Sequence, residues 1–358
     1  MATHNFHDKP YDAGTLAKLN IFELYVQEWI PVFVSPENPS FNEIHIFDFF
    51  CGPGRDANGE PGSPLRILRQ LRDYHDKGMA GWRKVQIVVH LFDHNDAKIQ
   101  QLRSIIEQPE WKLPVRIDSR ALAFESALSE HKQILANPRI AKLLIIDQFG
   151  VDEVSDDVFK ELISFPTTDF IFFLSSSTLH RFRDHPAIKQ KIDKPEDSYD
   201  VHRAAFDYYL RLVPKGAEVY LARFSIKKRS NIYGLVFGSQ HPLGIHKFLR
   251  VAWANDEIAG EANFDIDREN LRPGELVLNL EEMRPTKTRE FEAELEQTIR
   301  SGEMKNEIDV ARFCIEAGMT CQHSAPVLKK LKDEGVIKLQ FRVPDIGNLR
   351  SPRPITMV

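Results

Sequence analysis

The stretch IHIFDFFCGPGRDANGEPGSP, residues 44–64, decides the reading of this chain. Ile44, Ile46 and Phe47 make a short apolar strand that ends in Asp48 and breaks into a loop carrying Gly52 and Gly54. Glycine lacks a Cβ, so such a loop tolerates positive φ and lets a ligand lie close to the main chain. No Gly-Lys-Ser/Thr follows, which argues against a phosphate-cradling P-loop, and the third glycine of the dinucleotide fingerprint is missing.

Working outward, the loop opens the first of several strand–helix units. Five apolar runs read as strands, at Ile44–Phe47, Val85–Phe92, Val115–Ile117, Leu143–Ile146 and Phe170–Leu174. Helical patterns at 63–77, 97–107, 123–135 and 156–164 lie between them. Strands that are continuous apolar runs, alternating with helices, predict a parallel sheet covered on both faces. Two further runs, Ala217–Ile226 and Asn231–Ser239, flank the polar KKRS turn and read as an antiparallel hairpin. Upstream, apolar residues from Leu16 to Ile30 recur at near-helical spacing, predicting a helix over 11–35 that Pro31 ends.

After residue 255 the pattern changes. Residues 256–285 are acidic and irregular, and TKTREFEAELEQTIRSG reads as a charged helix. The last stretch reads as helix, turn, helix and strand, with Gly318 and Gly335 capping the helices and Thr320 the N-cap of the second. This looks like a winged helix. The expected organisation is an N-terminal helical segment (1–38), a doubly wound α/β domain (39–255), a linker with a charged helix (256–302) and a winged-helix-like domain (303–358).

Composition narrows the class. The chain is 42% hydrophobic and 28% charged, with a net charge of −5, as in ordinary soluble globular proteins. That charge excludes a uniformly basic nucleic-acid protein and leaves room for a local basic face. No apolar run long enough for a membrane span is present, and the polar N-terminus lacks a secretory core, so a cytoplasmic location is expected. Cys51, Cys314 and Cys321 have no metal-ligand spacing and read as buried thiols of a reducing compartment. The histidines are dispersed, no pairing of them or of carboxylates is read as a metal site, and no metal is expected.

The Asp-Phe-x-x-Gly-x-Gly pattern from Asp48 to Gly54 resembles the first motif of S-adenosylmethionine-dependent methyltransferases. Five parallel strands and a closing antiparallel hairpin are the strand inventory of their seven-stranded, mostly parallel sheet. More specifically, three blocks resemble the three-Cys-motif partner proteins, a bacterial group with a methyltransferase-like fold. The first holds Asp48, Phe50, Gly52, Gly54, Gly59, Gly62, Ser63 and Pro64. The second holds Asp147, Phe149, Gly150 and Val151, with Gln148 departing from the family's proline. The third holds Tyr233, Leu235, Phe237, His241, Pro242 and Gly244. The resemblance covers about residues 18–255. It implies S-adenosylmethionine as cofactor and a separately encoded partner carrying a three-cysteine motif.

In a doubly wound sheet, ligands sit beyond the carboxyl ends of the strands, so each strand end is read for chemistry. Asp48, Phe50, Gly52 and Gly54 are the first cofactor candidates, with Asp48 facing the methionine ammonium. Asp93, after the second strand, presents two oxygens that match a ribose diol. Asp118, with Ser119, is expected at the third strand end, near adenine. Asp147 and Phe149 follow the fourth strand, where amino-group methyltransferases carry an Asp/Asn-Pro-Pro-aromatic tetrad; the tetrad here is degenerate. One of His180, His185 and His202 after the fifth strand is a candidate base. Arg181, Arg183, Lys227, Lys228 and Arg229 cluster positive charge at the presumed substrate mouth. Lys329 and Lys330 sit on the second helix of the tail, where Thr320–Val358 carries four Lys and three Arg against three acids, a net of +4. The expected activity is methyl transfer to a nucleic acid, RNA or DNA, with a base amine as one target. The alternative is a non-catalytic nucleic-acid-binding or complex-forming subunit on the same scaffold.

Overall fold

The computed structural model describes residues 9–147, 154–174, 206–228, 231–255, 264–265, 287–347 and 351–358. The chain divides into two compact units, Met1–Gln240 and His241–Val358. The division falls before the helix Pro242–Asn255, whereas the sequence pattern places a boundary after it.

The first unit opens with helix α1 (Ala13–Val34), capped by Asp12, whose side chain accepts from the Thr15 amide at 2.8 Å. The helix does not stop at Pro31. It runs one turn further because the bond that proline cannot make is replaced: the Gln27 carbonyl, left free by the missing N–H, accepts from the Tyr74 hydroxyl at 2.8 Å. Strands β1 (Glu43–Asp48), β2 (Gln86–Asp93), β3 (Arg116–Ala121), β4 (Ala141–Ile146), β5 (Thr168–Leu174), β6 (Tyr220–Lys228) and β7 (Asn231–Ser239) follow. They lie in the order β3-β2-β1-β4-β5-β7-β6. The first five are mutually parallel, and β7 runs antiparallel to both β5 and β6. This is the mostly parallel, doubly wound sheet expected from the sequence. Strand order reverses between β1 and β4, which puts the switch point, the usual place for a ligand in such sheets, at their carboxyl ends.

Helices α2 (Ser63–Asp76), α3 (Asp96–Ile106), α4 (Phe124–Glu130), α5 (Lys132–Leu135), α6 (Asp156–Ser164) and α7 (residues 206–212) surround the sheet. Alternate residues of each strand face opposite sides. Phe47, Phe92, Leu144, Phe170, Phe172 and Val236 point to one face, packed with Phe124, Leu128, Phe159 and Tyr209. On the other, Tyr25 of α1 stacks edge-on against Phe237 at 4.8 Å and its hydroxyl donates to Asp169 at 2.7 Å. Glu23 clasps α1 to α2, accepting from Arg66, Arg69 and Gln70 at 2.6–2.9 Å.

Further elements differ from expectation, among them β6, which runs on through Lys227 and Lys228 of the expected turn. The predicted helix over 123–135 breaks at His131, which separates α4 from α5. Strand β3 extends through Asp118, Ser119 and Arg120, past the end expected at Ile117; as an edge strand, half exposed, it tolerates polar side chains.

The second unit contains α8 (Pro242–Asn255), β8 (Phe264–Asp265), α9 (Lys287–Arg300), α10 (Glu307–Glu316), α11 (Ala325–Asp333) and the antiparallel pair β9 (Ile337–Leu339) and β10 (Ile355–Met357). Asn306 and Asp309 form a capping box on α10. Thr320 caps a 3-10 turn, Cys321–Ser324, that precedes α11 rather than capping the α-helix itself. Arg353, one of the three arginines of the basic tail, binds the fully buried Glu307 through its backbone amide and guanidinium. No helix among the described residues is long and apolar enough to cross a membrane.

Candidate functional site

Asp48 is the last residue of β1 and is fully buried. Its Oδ1 accepts from the Phe50 amide at 3.2 Å, and the Ser63 hydroxyl at the start of α2 also donates to the carboxylate. Its Oδ2 finds no hydrogen-bond partner among the described residues. Burial, with the nearby Asp147 and Asp93 carboxylates, pushes the Asp48 pKa up to about 7, against the pull of those two hydrogen bonds. A buried carboxylate oxygen with nothing bound to it suits a cationic or strongly donating ligand group.

Asp93 ends β2 and is also buried. Its Oδ1 accepts from the Asn95 amide at 2.9 Å, and Asn95 in turn caps α3. Lys98 approaches its Oδ2 at 3.6 Å. One oxygen is therefore committed to the turn, and the other faces a lysine. Register pairs Asp48 with Leu91, so Asp48 and Asp93 project from the same face of the sheet.

The loop after β1 is tied down by its backbone: Cys51 N donates to Phe92 O at 2.9 Å and Gly62 N to Gly54 O at 2.8 Å. Gly52 and Gly54 both have positive φ, +61° and +91°. At Gly54 the room left by the absent Cβ is taken by Leu102 of α3, whose Cδ1 lies 2.9 Å from where a Cβ would stand. The glycine at this position serves helix packing, where the sequence suggested a bare surface for a ligand. Phe50 packs on Phe124 with ring centroids 5.7 Å apart.

Asp147 follows β4 and is bound to Lys18 of α1 at 2.6 Å, with both side chains nearly excluded from solvent. The Lys18 ammonium also lies 4.7 Å from the centroid of Phe173. Tyr11 joins the same neighbourhood: its amide donates to Asp56 at 2.6 Å, and burial with the Asp56, Asp147 and Asp48 charges pushes its hydroxyl pKa up. The sequence reading missed both residues. The signal for Lys18 was present: it falls in phase with Phe22, Tyr25 and Trp29 on the apolar stripe of α1, where a lysine needs a buried partner.

Asp118 is not at a strand end. It sits three residues before the end of β3, opposite His90, so it lies on the other face of the sheet from Asp48. Arg120 binds it through two nitrogens at 2.8 and 2.9 Å, and this pairing holds its carboxyl pKa below the usual value despite burial. It is thus withdrawn from the cofactor group. Lys227 and Lys228 belong to β6, opposite Ile232 and Asn231 of β7. In the second unit, Lys329 is exposed, whereas Lys330 is bound to Glu296 of α9 at 2.8 Å. Phe149, His180, Arg181, Arg183, His185, His202 and Arg229 lie outside the described residues.

No family model matches the chain, and no curated protein matches it. Among solved structures it is similar to the O-methyltransferase TomG from Streptomyces achromogenes in complex with SAM, at 10% identity and a TM-score of 0.33, over 64% of this chain and 90% of that one. It is likewise similar to an O-methyltransferase from Bacillus cereus in complex with SAH, at 11% identity and a TM-score of 0.34, over 64% and 91%. A 16S rRNA (adenine(1408)-N(1))-methyltransferase from Catenulisporales acidiphilia matches at 11% identity and a TM-score of 0.29, over 60% and 89%. Similarity at this level leaves the reading of the site to its own geometry.

Proposed function

We propose that the first unit binds S-adenosylmethionine beyond the carboxyl ends of β1 and β2 and delivers its methyl group to a nucleic acid, a base amine being one target. The observation that carries this reading is the fully buried Asp48 Oδ2 at the switch point of the sheet, which has no hydrogen-bond partner among the described residues. Asp48 would hold the methionine ammonium and Asp93 the ribose hydroxyls, while Asp147 would orient the acceptor. When bound, the cofactor supplies an electrophilic methyl on a sulfonium. Transfer then asks the protein mainly for alignment and exclusion of water, so the missing strong base is no obstacle. The helices α10 and α11 with the β9–β10 ladder serve as the winged helix that contacts nucleic acid, with Lys329 on its second helix. A separate three-cysteine-motif protein is the partner that the sequence resemblance implies.

A second reading has its own observation. Lys18 already occupies Asp147, so an acceptor amine must displace a buried ion pair. That favours a scaffold that keeps the cofactor pocket and has lost transfer. Calorimetry with S-adenosylmethionine, on the wild type and Asp48→Asn, tests the pocket. Transfer of a labelled methyl to RNA and DNA then tests the chemistry. Binding lost in the variant, with label in nucleic acid, is the expected result. Failure of the folded wild type to bind overturns the proposal, and binding without transfer leaves the scaffold reading in its place.

A further inference from the structure

The fold gathers three ligating side chains that are far apart in sequence and come from separate elements. His90 comes from β2, Asp118 from β3 and His131 from the break between α4 and α5. One ligand atom from each lies within 4.8 Å of the others. His90 Nδ1 is 3.4 Å, and His131 Nε2 3.8 Å, from Asp118 Oδ2. Tetrahedral bonds of about 2.0–2.1 Å set ligand atoms roughly 3.3 Å apart, so two edges already approach that spacing.

The outer hydrogen bonds orient these atoms. His131 Nδ1 donates to the Ala127 carbonyl at 2.8 Å, which leaves the Nε2 lone pair facing Asp118. Glu43 Oε1 accepts from His45 Nε2 at 2.8 Å, and His45 Nδ1 meets His90 Nε2 at 2.9 Å. With one proton on each ring, the proton between the two imidazoles belongs to His90 Nε2, and the His90 Nδ1 lone pair points at the carboxylate. Two imidazole lone pairs and a carboxylate oxygen therefore converge, an arrangement that repels itself unless a cation stands among them. The Arg120 guanidinium stands there now, 2.9 Å from Asp118 Oδ2 and 3.4 Å from His131 Nε2, and a second nitrogen is held by Glu130 at 2.7 Å. Arg120 and Glu130 are partly exposed and line a cavity of about 390 Å³ with His90, Asp118 and His131. That cavity gives an ion a route in and Arg120 a place to go.

We propose that His90 Nδ1, Asp118 Oδ2 and His131 Nε2 form a binding site for a borderline divalent transition metal of the zinc class. Two imidazoles and one carboxylate are ligands that such ions favour over magnesium or calcium. The bonds from His131 to Ala127 and from His90 through His45 to Glu43 are the outer contacts that fix ring orientation at such sites. The metal displaces Arg120 onto Glu130. The site lies on the opposite face of the sheet from Asp48 and does not depend on the function proposed for that end.

Titration of the purified full chain with Co²⁺, followed by its visible d–d absorption and by competition with Zn²⁺, tests this. The wild type is expected to develop the bands of low-coordinate cobalt and to lose them to zinc. Asp118→Asn and His131→Gln are expected to weaken binding by about 100-fold or more, and Glu43→Gln by about tenfold. Arg120→Gln removes the competing cation and is expected to tighten binding by roughly tenfold. His75→Gln, at a surface histidine that pairs with Asp76 and packs edge-on against Trp82, is the control and leaves the titration unchanged. Circular dichroism checks that each variant is folded. Absence of the bands from both the folded wild type and Arg120→Gln overturns the proposal. So does binding that survives both ligand substitutions.

Discussion

Asp48 and Asp118 lie on neighbouring parts of one sheet and have opposite fates. Asp48 ends β1 on the α1–α2 side with one oxygen unpartnered, and its pKa rises to about 7. Asp118 lies within β3 on the α4–α5 side, clamped by Arg120, and its pKa falls. The residue type is the same, and burial opposes ionisation in both. What differs is whether the fold itself delivers a cation or leaves that to a ligand.

Asp147 supplies the strongest test, because it neighbours Asp48 yet resembles Asp118 in having a cation. Replacing Lys18 by Met turns it into a second unpaired buried carboxylate. A loss of about 3–5 kcal/mol is expected in urea unfolding, the usual consequence of breaking a buried pair from one side. A loss under about 1 kcal/mol breaks the comparison, since Asp147 would then need no cation.

Next comes Asp48 itself. A carboxyl whose pKa is higher folded than unfolded binds its proton more tightly in the native state. It therefore costs stability as pH rises from about 4 to about 7. Asp48→Asn is expected to raise ligand-free stability at pH 8 by about 2–4 kcal/mol and to flatten the pH profile in that window. The same linkage makes wild-type affinity for a cationic ligand fall as pH drops below 7, an effect that calorimetry at three pH values reads directly.

At Asp118 the sign reverses. Its lowered pKa contributes stability that is present at neutral pH and lost as pH falls through the carboxylate range. Arg120→Gln should remove about 1 kcal/mol at pH 7, a modest figure because the pair is partly solvent-screened, and less at pH 3. The smallest effect belongs to the second unit. Lys330→Ala breaks only an exposed pair with Glu296 and should leave the melting temperature unchanged. If, in a test of the proposed nucleic-acid binding, it lowers affinity as much as Lys329→Ala does, the contrast between an exposed lysine and a tied one fails.

The sheet was largely legible because its signal is local. Apolar runs of strand length between helical patterns gave β1, β2, β4, β5 and β7 within a few residues. Edges were less so. β3 hid behind Asp118 and Arg120, since an edge strand has less apolar surface to show. The helix over 123–135 read as continuous because nothing in its periodicity marks the break at His131.

By itself, the sequence determined the alternation of strands and helices and the placement of acids at the ends of β1, β2 and β4. Each follows from neighbours within a few positions and from the period of burial. Only the tertiary structure decided which of those acids carries a partner. Lys18 meets Asp147 across 129 positions of chain, and His90 meets Asp118 across 28. Contacts of that kind depend on strand order and on register, where a slip of one residue would turn every side chain to the opposite face. The charge state of each carboxylate is therefore a property of the assembled sheet.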